Sequence, residues 1–135
     1  MQMISVSILP LLAAAAIRFV AGALWYSPIA FSAAWCSAVG MSEAQMKAGL
    51  PKGIAVELIG SLVMAFVLTY AVGYAGASSL VAGALVGFWI WLGFIAVVIL
   101  SATAYEQRPL KLFFINGGFN LVALLLMGAL LAVWH

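Results

Sequence analysis

Charge is the scarcest commodity in this chain. Of its 135 residues only 6% are charged and 68% are hydrophobic, where a soluble domain carries about 25% charged residues. So few charges cannot cover a water-facing surface, which excludes an ordinary soluble globular protein. Cysteine is nearly missing too. Cys36 stands alone, which excludes an intrachain disulfide and a cysteine metal cluster. His135 is the single histidine, so the usual metal centres and general-base arrangements lose their main residue. No Ser/His, His/Asp or metal-ligand set remains. The chain therefore reads as non-enzymatic and without a cofactor. Its formal net charge of +2 is small and scattered, which argues against nucleic-acid binding.

Long apolar runs are what the chain has in abundance. They cover residues 4–26, 54–74, 80–104 and 110–134. Crossing roughly 30 Å of hydrocarbon takes about 20 apolar residues, and each run suffices. Lipid admits only helices or closed barrels, and these runs lack the alternation of barrel strands. The fold class is all-α: one integral membrane domain over residues 1–135, with four transmembrane helices and a short interfacial helical segment in the connection 27–53. The small residues 13–16 imitate a leader cleavage site. However, residues 1–3 hold no Lys or Arg, and apolar character resumes after Arg18. The first run therefore reads as a retained helix.

Local signals mark the boundaries. Pro10 kinks the first helix or marks its start. Trp25 and Tyr26 fall where that helix should leave the lipid, as in an aromatic belt. Ser27 then Pro28 reads as an N-cap followed by proline at the first helical position, opening a short helix over 28–39 that Gly40 ends. Phe31, Trp35 and Val39 share one face of it, which places it in the interface plane. The run Ser42-Glu43-Ala44-Gln45 matches a capping box. Residues 49–53, with Pro51 inside, read as a turn into the second span. Gly83 and Gly87 permit close helix contact. Gly22-Ala23-Leu24-Trp25 and Gly87-Phe88-Trp89 look loosely alike, as in parallel repeats.

Lys47 and Lys52 lie in the first connection, and Arg108 and Lys111 at the second. The positive-inside rule then puts the connections 27–53 and 105–109 in the cytoplasm and both termini outside the cell membrane.

Arg18 is the most out-of-place residue, about 12 Å along the helix from Tyr26. Such an arginine costs about 2.5–3.5 kcal/mol on insertion scales, so it needs partners. Glu57 and Ser61 stand four apart on one face of the second span. Asn116 and Asn120 lie about 9 and 15 Å along the fourth. Arg18, Glu57, Ser61, Asn116 and Asn120 therefore form the candidate polar cluster, serving either as structural glue or as a functional cavity. Trp25, Tyr26, Ser27 and Pro28 form the candidate interfacial motif.

With these residues in place, the chain resembles a family of small bacterial membrane proteins catalogued as domain of unknown function 1761. The likeness lies in Gly22-Ala23-Leu24-Trp25-Tyr26-Ser27-Pro28, Phe31, Trp35, Gly40 and the Ser42-Glu43 helix start. It continues in Gly87-Phe88, Trp91-Leu92-Gly93-Phe94, Tyr105-Glu106, Arg108-Pro109 and the glycine-rich start of the fourth helix. The resemblance implies a four-helix integral membrane protein and carries no activity with it. Arg18 departs from the pattern, where a small or apolar residue is expected. A mechanism centred on it would belong to this chain and not to the whole family.

Two functional expectations follow. The first is a non-enzymatic membrane protein that packs as a homo-oligomer or binds a membrane-protein partner, within the lipid bilayer. The second is a small transporter or channel for a polar or anionic solute, using the cytoplasmic-half cluster. Small multidrug exporters have a similar size and helix count, but they need a carboxylate in the first helix. None is present here, which makes the chain a poor match for proton-coupled cation export.

Overall fold

The computed structural model describes residues 4–135. The leader question turned partly on residues 1–3, which lie outside that range. Helices run in the order α1 (Ile8–Trp25), α2 (Ser32–Val39), α3 (Glu43–Ala75), α4 (Leu80–Ile90), α5 (Val97–Tyr105) and α6 (Leu110–Val133), with a π-helical stretch Trp91–Ala96 joining α4 to α5. Four segments are long and apolar enough to cross a membrane: Ile8–Trp25, Leu50–Ala75, Leu80–Tyr105 and Leu110–Val133. The protein is an all-α, multi-pass membrane protein.

α1 begins two residues before Pro10. The proline sits in the first turn, where its missing N–H costs no helix bond, so it marks the start and does not kink the span. α3 opens on the capping box. Ser42 Oγ accepts from Gln45 N at 3.2 Å, and Gln45 Oε1 accepts from Ser42 N at 2.9 Å.

Two boundaries differ from the sequence reading. The expected turn at 49–53 is absent, and α3 runs unbroken through Pro51 for 33 residues. The capping box has already nucleated the helix, and this stretch is exposed. The carbonyl that Pro51 cannot satisfy is therefore free to meet solvent. Likewise α2 starts at Ser32 and not at Pro28. The Ser27 hydroxyl donates back to Leu24 O at 2.7 Å, and Phe31 N–H reaches Trp25 O at 3.0 Å. The chain thus folds over the end of α1 before a helix can begin. α2 ends at Gly40 in the left-handed conformation, φ 76°.

α6 is the hub. It packs against α1, α3, α4 and α5, with its closest seam on α4. A Cβ on Gly83 would collide with Gly128 O, and one on Gly87 with Leu124 O. Only glycine lets these backbones touch, as close packing in lipid requires. On the other side, Phe119, Ala123, Leu124, Met127 and Leu131 join Leu11, Ala14, Ala15, Ala65, Leu68 and Val72 in one core. α3 packs on α4, whereas α5 packs on α6 and the π-helical stretch. The third span therefore leaves α3 in its second half. At the end that holds both connections, Arg108 Nη1 donates to Val39 O at 2.7 Å, and Lys111 Nζ donates to Ser37 Oγ at 3.2 Å. Two cations thus meet the C-terminal end of α2, which a helix dipole favours.

Gly83→Leu should destabilise the protein by about 2–3 kcal/mol through overpacking. Gly60→Ala should be neutral or gain up to about 0.8 kcal/mol of helix propensity, since a Cβ there meets nothing within 4 Å. Unfolding in a rising mole fraction of SDS, followed by tryptophan fluorescence, measures both. Equal responses would count against the backbone seam.

Candidate functional site

Arg18 sits on the inner face of α1, 7% exposed. Its Nη1 donates to Glu57 Oε2 at 2.6 Å and to Ser61 Oγ at 2.9 Å. Glu57 and Ser61 are one helical turn apart on α3, so both reach the same guanidinium nitrogen. The guanidinium carbon lies 5.2 Å from the centroid of the Phe119 ring, within cation–π range. The pair is lopsided: the Arg18 side chain is 9% exposed and the Glu57 side chain 49%. The Arg18 Nε is buried with no partner. The positive end of the pair is thus enclosed, and the negative end opens to the surface of α3.

A second set of contacts ties the end of α1 to α6. Trp25 Nε1 donates to Ile115 O at 2.9 Å, and Tyr26 OH donates to Asn116 Oδ1 at 2.7 Å. The Trp25 ring fits because Gly118 has no side chain; a Cβ there would lie 3.1 Å from Trp25 Cζ2. Tyr26 also meets the Phe119 ring edge-on at 5.6 Å. Phe119 therefore stands between the two sets, with Arg18 over its ring and Tyr26 at its edge.

The model of the family described as "Protein of unknown function (DUF1761)" matches residues 9–132. The chain belongs to this family. Neither the curated proteins nor the solved structures give a match.

In this family member, the five residues expected to form one cluster divide into two groups. Arg18, Glu57 and Ser61 come together. Asn116 bonds Tyr26 instead, and Asn120 Nδ2 turns back to its own helix at Asn116 O, 2.9 Å away. An Asn in a helix has its own i−4 carbonyl within reach, and Asn120 takes that local option. Trp25 and Tyr26, expected as an aromatic belt where α1 leaves the lipid, bond inward to α6. Buried indole N–H and phenol O–H groups need partners, and α6 supplies them. Ser27 bonds the end of α1 and caps no helix. Pro28 is exposed in the turn that follows.

The sequence reading missed three things. Tyr26 is the partner of Asn116, Phe119 provides the Arg18 platform, and Trp91 is the counterpart of Trp25. Trp91 Nε1 donates to Gly117 O at 2.8 Å, so two indoles grip neighbouring carbonyls of α6. The likeness drawn between Trp25 and Trp89 shifts to Trp91, since Trp89 is 63% exposed. The adjacent Gly117 and Gly118 were the available signal. Among the described residues, no three His, Cys, Asp or Glu side chains gather to hold a metal.

Breaking the pair should be asymmetric. Glu57→Leu leaves a buried cation with Ser61 alone and should cost about 3 kcal/mol. Arg18→Met leaves only the half-exposed Glu57 without its partner and should cost less, about 1 kcal/mol. The double variant should recover most of the Glu57→Leu loss, because an apolar replacement of a buried pair is often neutral. SDS unfolding of all four proteins closes the cycle. Simple additivity of the two losses would rule out the coupling.

Proposed function

We propose that the protein is a non-enzymatic membrane protein that works as an assembly, docking through the connection-end flank of α3 onto a second copy or another membrane protein. The observation that carries this reading is Glu57: an acidic side chain 49% exposed, on a helix face otherwise fit for lipid. It lies five residues beyond Lys52, about 7.5 Å along the axis. Its neighbours Val56, Leu58, Ile59, Leu62 and Val63 are exposed and apolar. Arg18 meets Oε2, and the half of the side chain that stays exposed costs free energy in lipid unless something covers it. The surface beside it supports close approach. Gly49, Gly53 and Gly60 fall on the flank of Glu57 by helical spacing, and a Cβ on any of them meets nothing within 4 Å. Small residues at this spacing let another backbone come near. The charge bias supports both connections lying in the cytoplasm and both termini outside, in the cell membrane.

A second reading, a small transporter or channel for a polar or anionic solute, draws support from one observation. The buried Arg18 Nε has no partner, which leaves a cation with unused donor capacity beside Glu57 and Ser61 of α3. In that case small anions should raise the melting temperature of the wild type and not that of Arg18→Leu.

Gly60→Leu tests the assembly directly, because a Cβ there meets nothing within 4 Å in one chain. Its unfolding should match that of the wild type, while its self-association or partner binding should weaken about tenfold, roughly 1.4 kcal/mol. Mass photometry or cross-linking in native membranes reads the change. An unchanged oligomer, or a wild type that is strictly monomeric and recovers no partner, would sink the proposal.

A further inference from the structure

At the end opposite the connections, where the described chain starts and finishes, the structure holds a half-open cavity of about 310 Å³. Its polar wall comes from Ser5, Thr69, Ser78 and His135, and its apolar side from Val72 and Leu131. That volume lies at the lower end of small-molecule sites, which run from about 300 to 1,000 Å³.

The polar wall is rich in acceptors. Thr69 Oγ1 donates its hydrogen to Ala65 O at 2.8 Å, so its lone pairs remain. His135 Nδ1 lies 3.2 Å from Leu131 O. A carbonyl only accepts, so Nδ1 carries the proton, and in the neutral ring Nε2 keeps a lone pair. The last turns of α3 and α6 reach the cavity through Val72, Gly73 and Leu131. Val72 O and Gly73 O each accept one bond, from Ala77 N and Gly76 N, and keep a second lone pair; helix C-termini carry negative partial charge, and neither of these last turns holds a basic residue to offset it. The first turns of α1 and α4, whose ends are positive, do not line the cavity; of the residues leading into them, Ile4, Ser5, Gly76, Ala77 and Ser78 do. Among the described residues, no Lys, Arg, Asp or Glu lines it either.

We infer that this cavity binds a small ammonium group: acceptors and two helix C-termini face the charge, and the apolar side takes the attached carbons. The shared chemistry admits a free amine or the ammonium of a lipid headgroup at the same membrane surface. The inference uses no residue of the α3 flank, so it stands or falls apart from the assembly.

The test follows the melting temperature of the full chain in lipid-free detergent. Ethanolamine hydrochloride is compared with sodium chloride and with sodium acetate at equal ionic strength. A parallel series uses micelles doped with phosphatidylethanolamine or with phosphatidylglycerol. Ser78 is exposed, so Ser78→Lys and Ser78→Asp should fold like the wild type. Wild type should gain a few degrees, saturably, by mass action. Ser78→Lys should lose the gain, and Ser78→Asp should reach it at lower concentration. A gain from ethanolamine identifies a free amine, and a gain from phosphatidylethanolamine alone identifies the headgroup. No gain from either, an equal gain in all three proteins, or a gain from acetate in place of the amine would overturn the inference.

Discussion

The seam between α4 and α6 is the contact on which the remaining geometry depends. Lipid tails are as apolar as leucine, so burial of greasy surface does not by itself draw two helices together in a membrane. Close approach does, through van der Waals contact along the whole seam, and that needs backbones without side chains between them. Gly83, Gly87 and Gly128 meet this need at one place. Once α4 is pinned there, α6 sits at the centre and α1 and α3 close over its other side. The two tryptophans that grip Ile115 O and Gly117 O then fix how far α1 and the third span reach along α6. Gly117 and Gly118 continue the same economy of side chains into the half that holds Arg18.

Much of this could be read from the sequence, because hydrophobic length is a direct physical requirement of crossing a membrane. The four spans, the Ser42 capping box, the left-handed Gly40 and the close-contact role of Gly83 and Gly87 all follow from local rules, and the structure has them. What the sequence obscured was a choice between a local option and a distant one. A tryptophan at a helix end looks the same whether its N–H meets a headgroup or a carbonyl 90 residues away. The deciding feature is Gly118, which only the fold brings to Trp25. Pro51 between two glycines reads as a turn, yet a helix already nucleated upstream passes through it. The candidate cluster shows the same division. Depth counted along each helix placed Asn116 and Asn120 near the level of Arg18, whereas the structure gives Arg18 to Glu57 and Ser61. Nothing local said that Tyr26 would claim Asn116, or that Asn120 would satisfy itself on its own backbone.

The charge pair shows where the single chain is least complete. An enclosed arginine beside a carboxylate is a tolerable arrangement in lipid, since each ion offsets the cost of burying the other. Here only the arginine is enclosed. Tyr26, Phe119 and the helices of the core surround it, while Glu57 looks outward. The third span gives this part of α3 no cover. The π-helical stretch Trp91–Ala96 breaks the regular turn, and beyond it α5 stays with α6 and departs from α3. The result is two glycine-lined helix faces in one chain with opposite fates. Gly83 and Gly87 are filled by α6, whereas Gly49, Gly53 and Gly60 face open space around a half-exposed carboxylate. Pairing with Arg18 accounts for the carboxylate, but not for the room beside it for another backbone. The combination is what a helix–helix contact in a membrane requires: space for the backbone and a polar group to bridge it. That physical match, more than the presence of an arginine, is why assembly is the stronger reading of the site.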